Sequence, residues 1–319
     1  MNVQGLTLRV VTFCQRQKVT LVGRTLIQQL RIMKIIFIGT SQFAAPILEN
    51  LIKNDYLIEA VITAPDKPAG RKQEITPLPV KESATKLKLK IFQPEKISAI
   101  SQKISILKPD LIILASYGQI IPKNILAIPK FGCLNLHPSL LPKYRGPSPI
   151  QTAILNGDQF TGLTIMLMDE KIDRGPIIAQ KKITLAPEDN SQTLERKLAQ
   201  AAANFLIEIL PQYLQGKIKP QPQDERQVSY TKILTRQDGQ IDWNKSAKEI
   251  ARMVRAFYPW PGAWTNFNGK RVKILKAKAV EKKQEATRPT NQGFLLLEIV
   301  QPAGKKQMTG EEFFRGHRI

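Results

Sequence analysis

The chain has 319 residues, which is long enough for two domains of ordinary size. Hydrophobic residues make up 42% of it and charged residues 23%, so the chain can bury a core and global disorder is excluded. It holds no uncharged apolar run of about 18 residues, which excludes a membrane-spanning helix. Two cysteines, Cys14 and Cys133, are too few for a disulfide framework and fit a reducing compartment. With only two histidines beside them, no zinc site is expected and no metal is predicted.

The chain is strongly basic, with 48 Lys and Arg residues against 26 Asp and Glu residues and a net charge of +22. Such an excess costs self-repulsion and is typical of proteins with a polyanionic partner, of which nucleic acid is the first candidate. Residues 220–319 carry 19 basic and 10 acidic side chains, so the C-terminal third is basic in its own right. A solvated surface in a lysine-rich proteome is the alternative, and charge alone leaves both open.

The first 32 residues differ from the rest, since they hold five basic residues, no acidic residue and little periodicity. Met33 stands immediately before the first predicted strand. We therefore interpret residues 1–32 as an N-terminal extension that arises from an over-extended start site. A transit peptide is the alternative, and it would place the mature protein in an organelle matrix.

From Met33 onward, predicted strands alternate with predicted helices. Short apolar runs bounded by turn residues predict strands, and amphipathic segments predict helices. In chain order these are a strand at 34–38, a helix at 43–53, a strand at 57–63, a polar loop at 65–77, a helix at 79–89, strands at 90–92 and 109–116, and a helix at 191–214. The alternation predicts an α/β domain over residues 33–216 with a doubly wound, mainly parallel sheet.

The remainder of the chain changes character. Residues 217–230 are rich in proline and are predicted to be a linker. Ser246-Ala-Lys-Glu249 is a capping box that begins a helix. Short strand-like runs follow at 271–275 and 294–300, with turns between them. This pattern is typical of a small OB-like β-barrel, which we predict over residues 231–319.

Several familiar ligand-binding motifs are missing. The turn after the first strand, Gly39-Thr-Ser-Gln-Phe-Ala44, lacks the Gly-x-Gly-x-x-Gly spacing that lets a backbone approach a pyrophosphate, so NAD is not expected. The sequence holds neither a Walker-type loop nor a Gly-x-Ser-x-Gly nucleophile elbow.

The segment that begins at Asn135-Leu-His137 follows an apolar run and is predicted to end a parallel strand. Residues two apart in a strand face the same way, and the carboxyl ends of parallel strands face the ligand crevice. An amide and an imidazole that converge there are suited to stabilise an oxyanion. A lone histidine is more often a satisfied structural group, but His317 lies beside the C-terminus, so His137 is the candidate catalytic imidazole.

A carboxylate is the expected partner of this imidazole, because it can orient the ring and accept a proton. Asp173 lies in a polar turn between two strand-like runs at 163–167 and 176–179. Three other acids compete for the role, and spacing does not choose among them: Asp158, Asp169 and Glu170.

Asn135-x-His137 followed by Ser139-Leu-Leu-Pro142 resembles the 10-formyltetrahydrofolate-dependent formyltransferases. The chain from Met33 to about Arg315 is similar to the methionyl-tRNA formyltransferase branch of that family. The resemblance implies that 10-formyltetrahydrofolate is the co-substrate and that no metal is needed. It matches Asn135, His137 and Asp173 to the catalytic residues, and it matches the folate-contacting turn to Ser139, Leu140, Leu141 and Pro142.

Three features favour the tRNA branch: Pro65–Arg71, then Ile241-Asp-Trp243 together with Arg255–Gly262, and Gln301–Met308. The resemblance implies that the polar loop at 65–77 contacts the acceptor end of methionyl initiator tRNA, with Arg71 as the matching arginine, and we expect the loop lysines Lys67 and Lys72 to contact it as well. It implies a monomer that acts in translation initiation. A sugar-nucleotide N-formyltransferase with the same folate donor is the alternative, because it shares the catalytic residues and a similar C-terminal region. A non-catalytic RNA-binding relative is a third possibility.

Two departures from the family pattern concern the edges of the expected site. The segment between Val280 and Phe294 is shorter than in the family by roughly a hairpin. We therefore predict that the barrel lacks part of its wall. The familiar Asp-x-Gly-Asp reads Asp173-Arg-Gly-Pro176, which keeps the acid and changes its neighbour. We expect these changes to affect tRNA affinity more than formyl transfer.

Overall fold

The computed structural model describes residues 32–69 and 74–316. The predicted N-terminal extension up to residue 31 lies outside these ranges, as do Arg71 and Lys72. The described residues form strands β1 Lys34–Gly39, β2 Leu57–Ile62, β3 Lys67–Ala69, β4 Glu74–Thr76, β5 Ile91–Phe92, β6 Leu111–Ala115, β7 Cys133–His137, β8 Phe160–Leu167, β9 Ile177–Thr184, β10 Ala263–Phe267, β11 Lys270–Val280, β12 Thr287–Pro289, β13 Phe294–Pro302 and β14 Met308–Thr309. They also form helices α1 Ala45–Lys53, α2 Pro79–Lys86, α3 Ser101–Leu107, α4 Lys123–Leu126, α5 Pro149–Asn156, α6 Ser191–Leu214, α7 Ala247–Ala256 and α8 Gly310–Arg315.

A seven-stranded sheet in the order β5-β2-β1-β6-β7-β8-β9 forms the main α/β layer. The pairs β5-β2, β2-β1 and β1-β6 are parallel, and β8-β9 is antiparallel. Side chains Ile35 to Ile38 of β1 are fully buried, because strands of a parallel sheet are covered on both faces. The predicted doubly wound, mainly parallel sheet is confirmed.

The chain divides into two compact units. One comprises Met1–Leu134 and Leu206–Lys217, and its described part holds β1 to β6 with α1 to α4. The other comprises Asn135–Phe205 and Ile218–Ile319, and it contains every residue predicted to take part in catalysis or to contact folate. The domain limits derived from the sequence, 33–216, 217–230 and 231–319, stay predictions.

The predicted polar loop at 65–77 contains two short strands. β3 and β4 pair antiparallel, with Lys67 opposite Thr76. Lys67 is exposed there. A three-residue strand that contains a proline shows almost no hydrophobic periodicity, so the sequence pattern does not predict these two strands.

Residues 263–309 include the strands of a five-stranded antiparallel half-barrel in the order β10-β11-β13-β12, with β14 on β13. This confirms the expected OB-like architecture. α7 begins at the predicted capping box, where Ser246 Oγ accepts from the Glu249 backbone N–H at 3.3 Å and Glu249 Oε2 accepts from the Ser246 backbone N–H at 3.0 Å. The stretch between Val280 and Phe294, which the sequence predicts to be shorter than in the family, supplies strand β12, which pairs with β13.

The proline-rich segment after α6 is hydrogen-bonded along much of its length. Gln221 and Ile177 exchange backbone hydrogen bonds of 2.8 and 2.7 Å. The Arg145 backbone N–H donates to the Ser229 carbonyl at 2.9 Å, and the Thr231 N–H donates to the Arg145 carbonyl at 2.7 Å. We call residues 221–232 the strap.

No helix in the part of the chain that the structure describes is both long enough and apolar enough to cross a bilayer.

Candidate active site

The carboxylate of Asp173 lies beside both of the other side chains predicted to be catalytic. Asn135 and His137 lie at the carboxyl end of β7 and are 7% and 5% exposed. Asn135 Nδ2 donates to Asp173 Oδ1 at 3.3 Å, and His137 Nδ1 lies 3.6 Å from Asp173 Oδ2. The structure therefore brings together the amide, the imidazole and the acid, although Asp173 lies 38 positions beyond Asn135 in the sequence.

One hydrogen bond of the His137 ring indicates which ring nitrogen carries a proton. Nε2 lies 2.9 Å from the carbonyl oxygen of Tyr144. A carbonyl oxygen only accepts, so Nε2 carries a proton. Nδ1 then faces Asp173 at a distance longer than a hydrogen bond, which leaves this nitrogen open to another partner.

Asp173 is held in a constrained position on the loop between β8 and β9. Its φ is 50°, in the left-handed region that costs free energy for a residue with a side chain. Its Oδ2 accepts a 2.7 Å hydrogen bond from the backbone N–H of Gly146, which itself has a φ of 106°. A Cβ at Gly146 would lie 2.9 Å from Thr231 Oγ1, so glycine is required here for both space and conformation.

The structure separates Asp173 from the other acids. Asp158 accepts a hydrogen bond of 2.7 Å from the Tyr144 hydroxyl, and Asp169 accepts from the Lys171 backbone N–H at 2.9 Å within its own turn. Glu170 is exposed. Among the four acids that the sequence left open, Asp173 has the described contacts with Asn135 and His137.

The turn from Ser139 to Pro142, predicted to contact folate, lies on a buried polar support. Ser139 Oγ donates to the Lys143 carbonyl at 2.6 Å. Thr164, which is fully buried on β8, donates from Oγ1 to the Ser139 carbonyl at 2.7 Å and accepts from the Leu141 backbone N–H at 3.1 Å. Gln180 Nε2 on β9 donates to the Leu141 carbonyl at 2.7 Å.

The Leu140 side chain of this turn packs against β8. It contacts Gly162 of this strand, where a Cβ would lie 2.4 Å from Leu140 Cδ2. Sequence reasoning missed Thr164, Gln180 and Gly162, because nothing in a strand pattern marks which residue supports a distant turn.

Cys133 begins β7 and is 1% exposed. Burial raises the pKa of its thiol to about 12. The thiolate needed for covalent catalysis is therefore scarce at neutral pH. Within residues 32–69 and 74–316, no group of three His, Cys, Asp or Glu side chains converges as metal ligands.

A row of exposed basic side chains follows β11. Val272, Ile274 and Ala277 of this strand are buried, whereas five basic side chains of the same strand are exposed: Lys270, Arg271, Lys273, Lys276 and Lys278. Glu298 lies 3.0 Å from Lys278 Nζ and 3.8 Å from Lys276 Nζ, so it neutralises part of this charge. Of the residues predicted to contact tRNA, only Lys67 has a described position.

Family models match both halves of the chain. The model described as formyl transferase matches residues 33–210, and the model described as formyl transferase, C-terminal domain, matches residues 233–318. Methionyl-tRNA formyltransferase from Bacillus subtilis is 41% identical over 90% of this chain and 95% of its own length. The enzyme of the same name from Thermodesulfovibrio yellowstonii is 43% identical over 89% of this chain and 96% of its own length.

Solved structures agree in fold. An N-formyltransferase from Helicobacter canadensis, in complex with folinic acid and dTDP-3-aminofucose, matches with a TM-score of 0.64 at 20% identity and covers 83% of this chain and 98% of that chain. HypX from Aquifex aeolicus in complex with tetrahydrofolic acid matches with a TM-score of 0.63 at 18% identity over 88% of this chain. This chain spans only 47% of that protein, and at such identities the likeness shows the fold alone.

The family models, the 41–43% identity to relatives across nearly their whole length, and the shared fold converge. The chain belongs to the formyl transferase family, within its methionyl-tRNA formyltransferase branch.

Proposed function

We propose that this protein transfers the formyl group of 10-formyltetrahydrofolate to the α-amine of methionyl initiator tRNA, as a step of translation initiation. The observation that carries the proposal is the cluster of Asn135, His137 and Asp173 in a chain that is 41–43% identical to methionyl-tRNA formyltransferases. The curated relatives are bacterial, and we place the reaction in the bacterial cytoplasm.

The reaction needs charge stabilisation and one proton carrier. The amine nitrogen attacks the formyl carbon, a C–N bond forms, and the carbonyl oxygen becomes an oxyanion. Collapse of the tetrahedral intermediate breaks the bond from the formyl carbon to N10 of the folate. The amine loses one proton and N10 gains one, so the protein has to carry a single proton and no electrons.

The geometry supports separate roles for the three side chains. Asn135 uses one amide N–H toward Asp173 and keeps a second for the oxyanion. His137 Nδ1 is farther than a hydrogen bond from Asp173, so it too is open to the oxyanion when protonated. Asp173, through His137 or a water molecule, accepts the amine proton and returns it to N10.

Folate binding is assigned to the turn formed by Ser139, Leu140, Leu141 and Pro142. Its backbone is held by Thr164 and Gln180, so the turn is preorganised before a ligand arrives. The solved relatives with tetrahydrofolic acid or folinic acid share the fold and support a folate donor.

Charge supports tRNA as the acceptor. A net charge of +22 and the basic row on β11 are suited to neutralise phosphates, so affinity should fall steeply with salt. We assign acceptor-stem contacts to Lys67, Arg71 and Lys72, further contacts to the C-terminal domain at 231–319, and a monomeric state.

Arg71→Ala is expected to raise the KM for methionyl-tRNA more than the KM for folate, because a lost phosphate or base contact weakens one substrate only. The exposed Arg196 of α6 provides a matched control, and Arg196→Ala should leave both constants unchanged. Equal rises for both substrates in Arg71→Ala would show that the loop acts only as a structural flap.

An acceptor panel tests the proposed function. With 10-formyltetrahydrofolate as donor, methionyl initiator tRNA should be formylated, while an amino-sugar nucleotide should not. Formylation of the sugar alone would replace the proposal with the sugar-nucleotide alternative. Salt-sensitive tRNA binding without turnover of either acceptor would identify a non-catalytic RNA-binding relative.

A further inference from the structure

A buried glutamine of the strap bonds to both sides of the candidate site. Gln223 is 8% exposed. Its Nε2 donates to the backbone carbonyls of Asp173 at 2.9 Å and Gly175 at 2.8 Å. Its Oε1 accepts from Arg145 Nη2 at 2.8 Å and from Arg145 Nε at 3.1 Å. One side chain therefore ties the Asp173 loop to the segment at Arg145.

Arg145 is a charged side chain that is almost wholly enclosed. It is 1% exposed, and its guanidinium makes hydrogen bonds of 3.1 and 3.3 Å to the carboxylate of Glu225. A buried charge is tolerated only when it is paired and its donors are satisfied. The hydrogen bond from Arg145 lowers the pKa of the Glu225 carboxyl, so this partner is ionised at neutral pH.

The two residues beside Arg145 supply the backbone groups of the site. The carbonyl of Tyr144 accepts from His137 Nε2, and the N–H of Gly146 donates to Asp173 Oδ2. The position of Arg145 thus sets the position of both groups at once. Tyr144 has a φ of 62°, and Gly146 and Asp173 also have positive φ values, so this backbone needs support from its surroundings.

We propose that Gln223 and Arg145 are positioning residues, which hold Asp173 and His137 in register for formyl transfer without touching either substrate. This proposal rests on the proposed function. A displacement of a catalytic side chain by about 1 Å can lower the rate roughly 100-fold. Loss of the hydrogen bonds of Gln223 would allow a displacement of this size at Asp173.

The main test replaces Gln223 with methionine, which keeps the length of the side chain and removes both polar ends. Gln223→Met is expected to lower kcat by roughly 10- to 100-fold while the KM values for tRNA and folate change little. Gln221→Met is the matched control, because that exposed side chain is of the same type, lies two residues away, and donates only to the Lys219 carbonyl. The control should keep the wild-type kcat.

A double variant separates positioning from general stability. If Gln223 acts through Asp173, Gln223→Met should lower the single-turnover rate far less in an Asp173→Asn background than in the wild type, because groups that act as a unit are not additive. Equal losses in both backgrounds would overturn the proposal. Gln223→Glu is a second variant that keeps the acceptors for Arg145 but cannot donate to the two carbonyls, so it should lose rate as well.

A spectroscopic readout does not depend on turnover. The chain has only two histidines, so ring 15N signals of His137 can be assigned with a His317→Gln variant. These signals should change in Gln223→Met and stay as in the wild type in Gln221→Met. Unchanged signals with a normal kcat would overturn the positioning role, whereas a wild-type protein that does not formylate methionyl-tRNA would overturn the proposed function instead.

Discussion

Asp173→Asn is expected to reduce the single-turnover rate of formyl transfer by about 100- to 10,000-fold, the usual cost of losing a general acid–base group. The amide keeps an oxygen that can accept from the Gly146 N–H, so the loop should stay in place. The change removes the negative charge and the proton acceptor beside His137. Rapid quench of enzyme in excess over methionyl-tRNA measures the chemical step directly.

The same loop offers a control for this substitution. Asp169→Asn makes the identical chemical change four residues away, at an exposed side chain that accepts only from the Lys171 backbone N–H in its own turn. Its rate should equal that of the wild type. If Asp173→Asn kept a normal rate as well, Asp173 would have no part in proton transfer.

Asn135→Ala and His137→Ala should each lower the single-turnover rate by about 100- to 1,000-fold, because each removes one donor from the developing oxyanion. KM values for both substrates should change much less than the rate, since the donors act on charge that is absent from the ground state. Substrate titrations of the same single-turnover experiment give both quantities.

Combining these changes adds a sharper requirement. Because the two donors serve one oxyanion together, the double variant Asn135→Ala/His137→Ala should lose less than the product of the two single losses. Asn124→Ala, a change of the same type at an exposed side chain of α4, should leave the rate unaltered. Near-normal rates in both single variants would remove these side chains from the chemistry.

The sequence predicts the fold that positions the candidate site, for a physical reason. A buried parallel strand is recognisable as a short apolar run, and the two-residue spacing of Asn135 and His137 places both on one side of its carboxyl end. The carboxylate partner could not be chosen, because contacts of Asp173 arise from packing between segments 38 positions apart.

Contacts made by backbone groups cannot be predicted from the pattern of side chains in the sequence. The Tyr144 carbonyl and the Gly146 N–H contact His137 and Asp173, but any residue type carries such groups. The sequence likewise predicted a linker at 217–230 from its prolines, although extended proline-containing chain can still form ladder bonds at an edge. Gln221 pairs with Ile177 in this way.

The strap has a consequence for how such proteins can be recombined. Thr231 Oγ1 accepts from the Ser148 backbone N–H at 3.1 Å, and the Lys232 carbonyl accepts from Ser148 Oγ at 2.6 Å. In a chimera whose C-terminal region comes from a protein with another acceptor preference, kcat therefore depends on which parent supplies the strap. Splicing at the prolines would leave the reaction centre unbraced, whereas a junction after Lys232 would carry the brace along and change only the molecule that is presented to it.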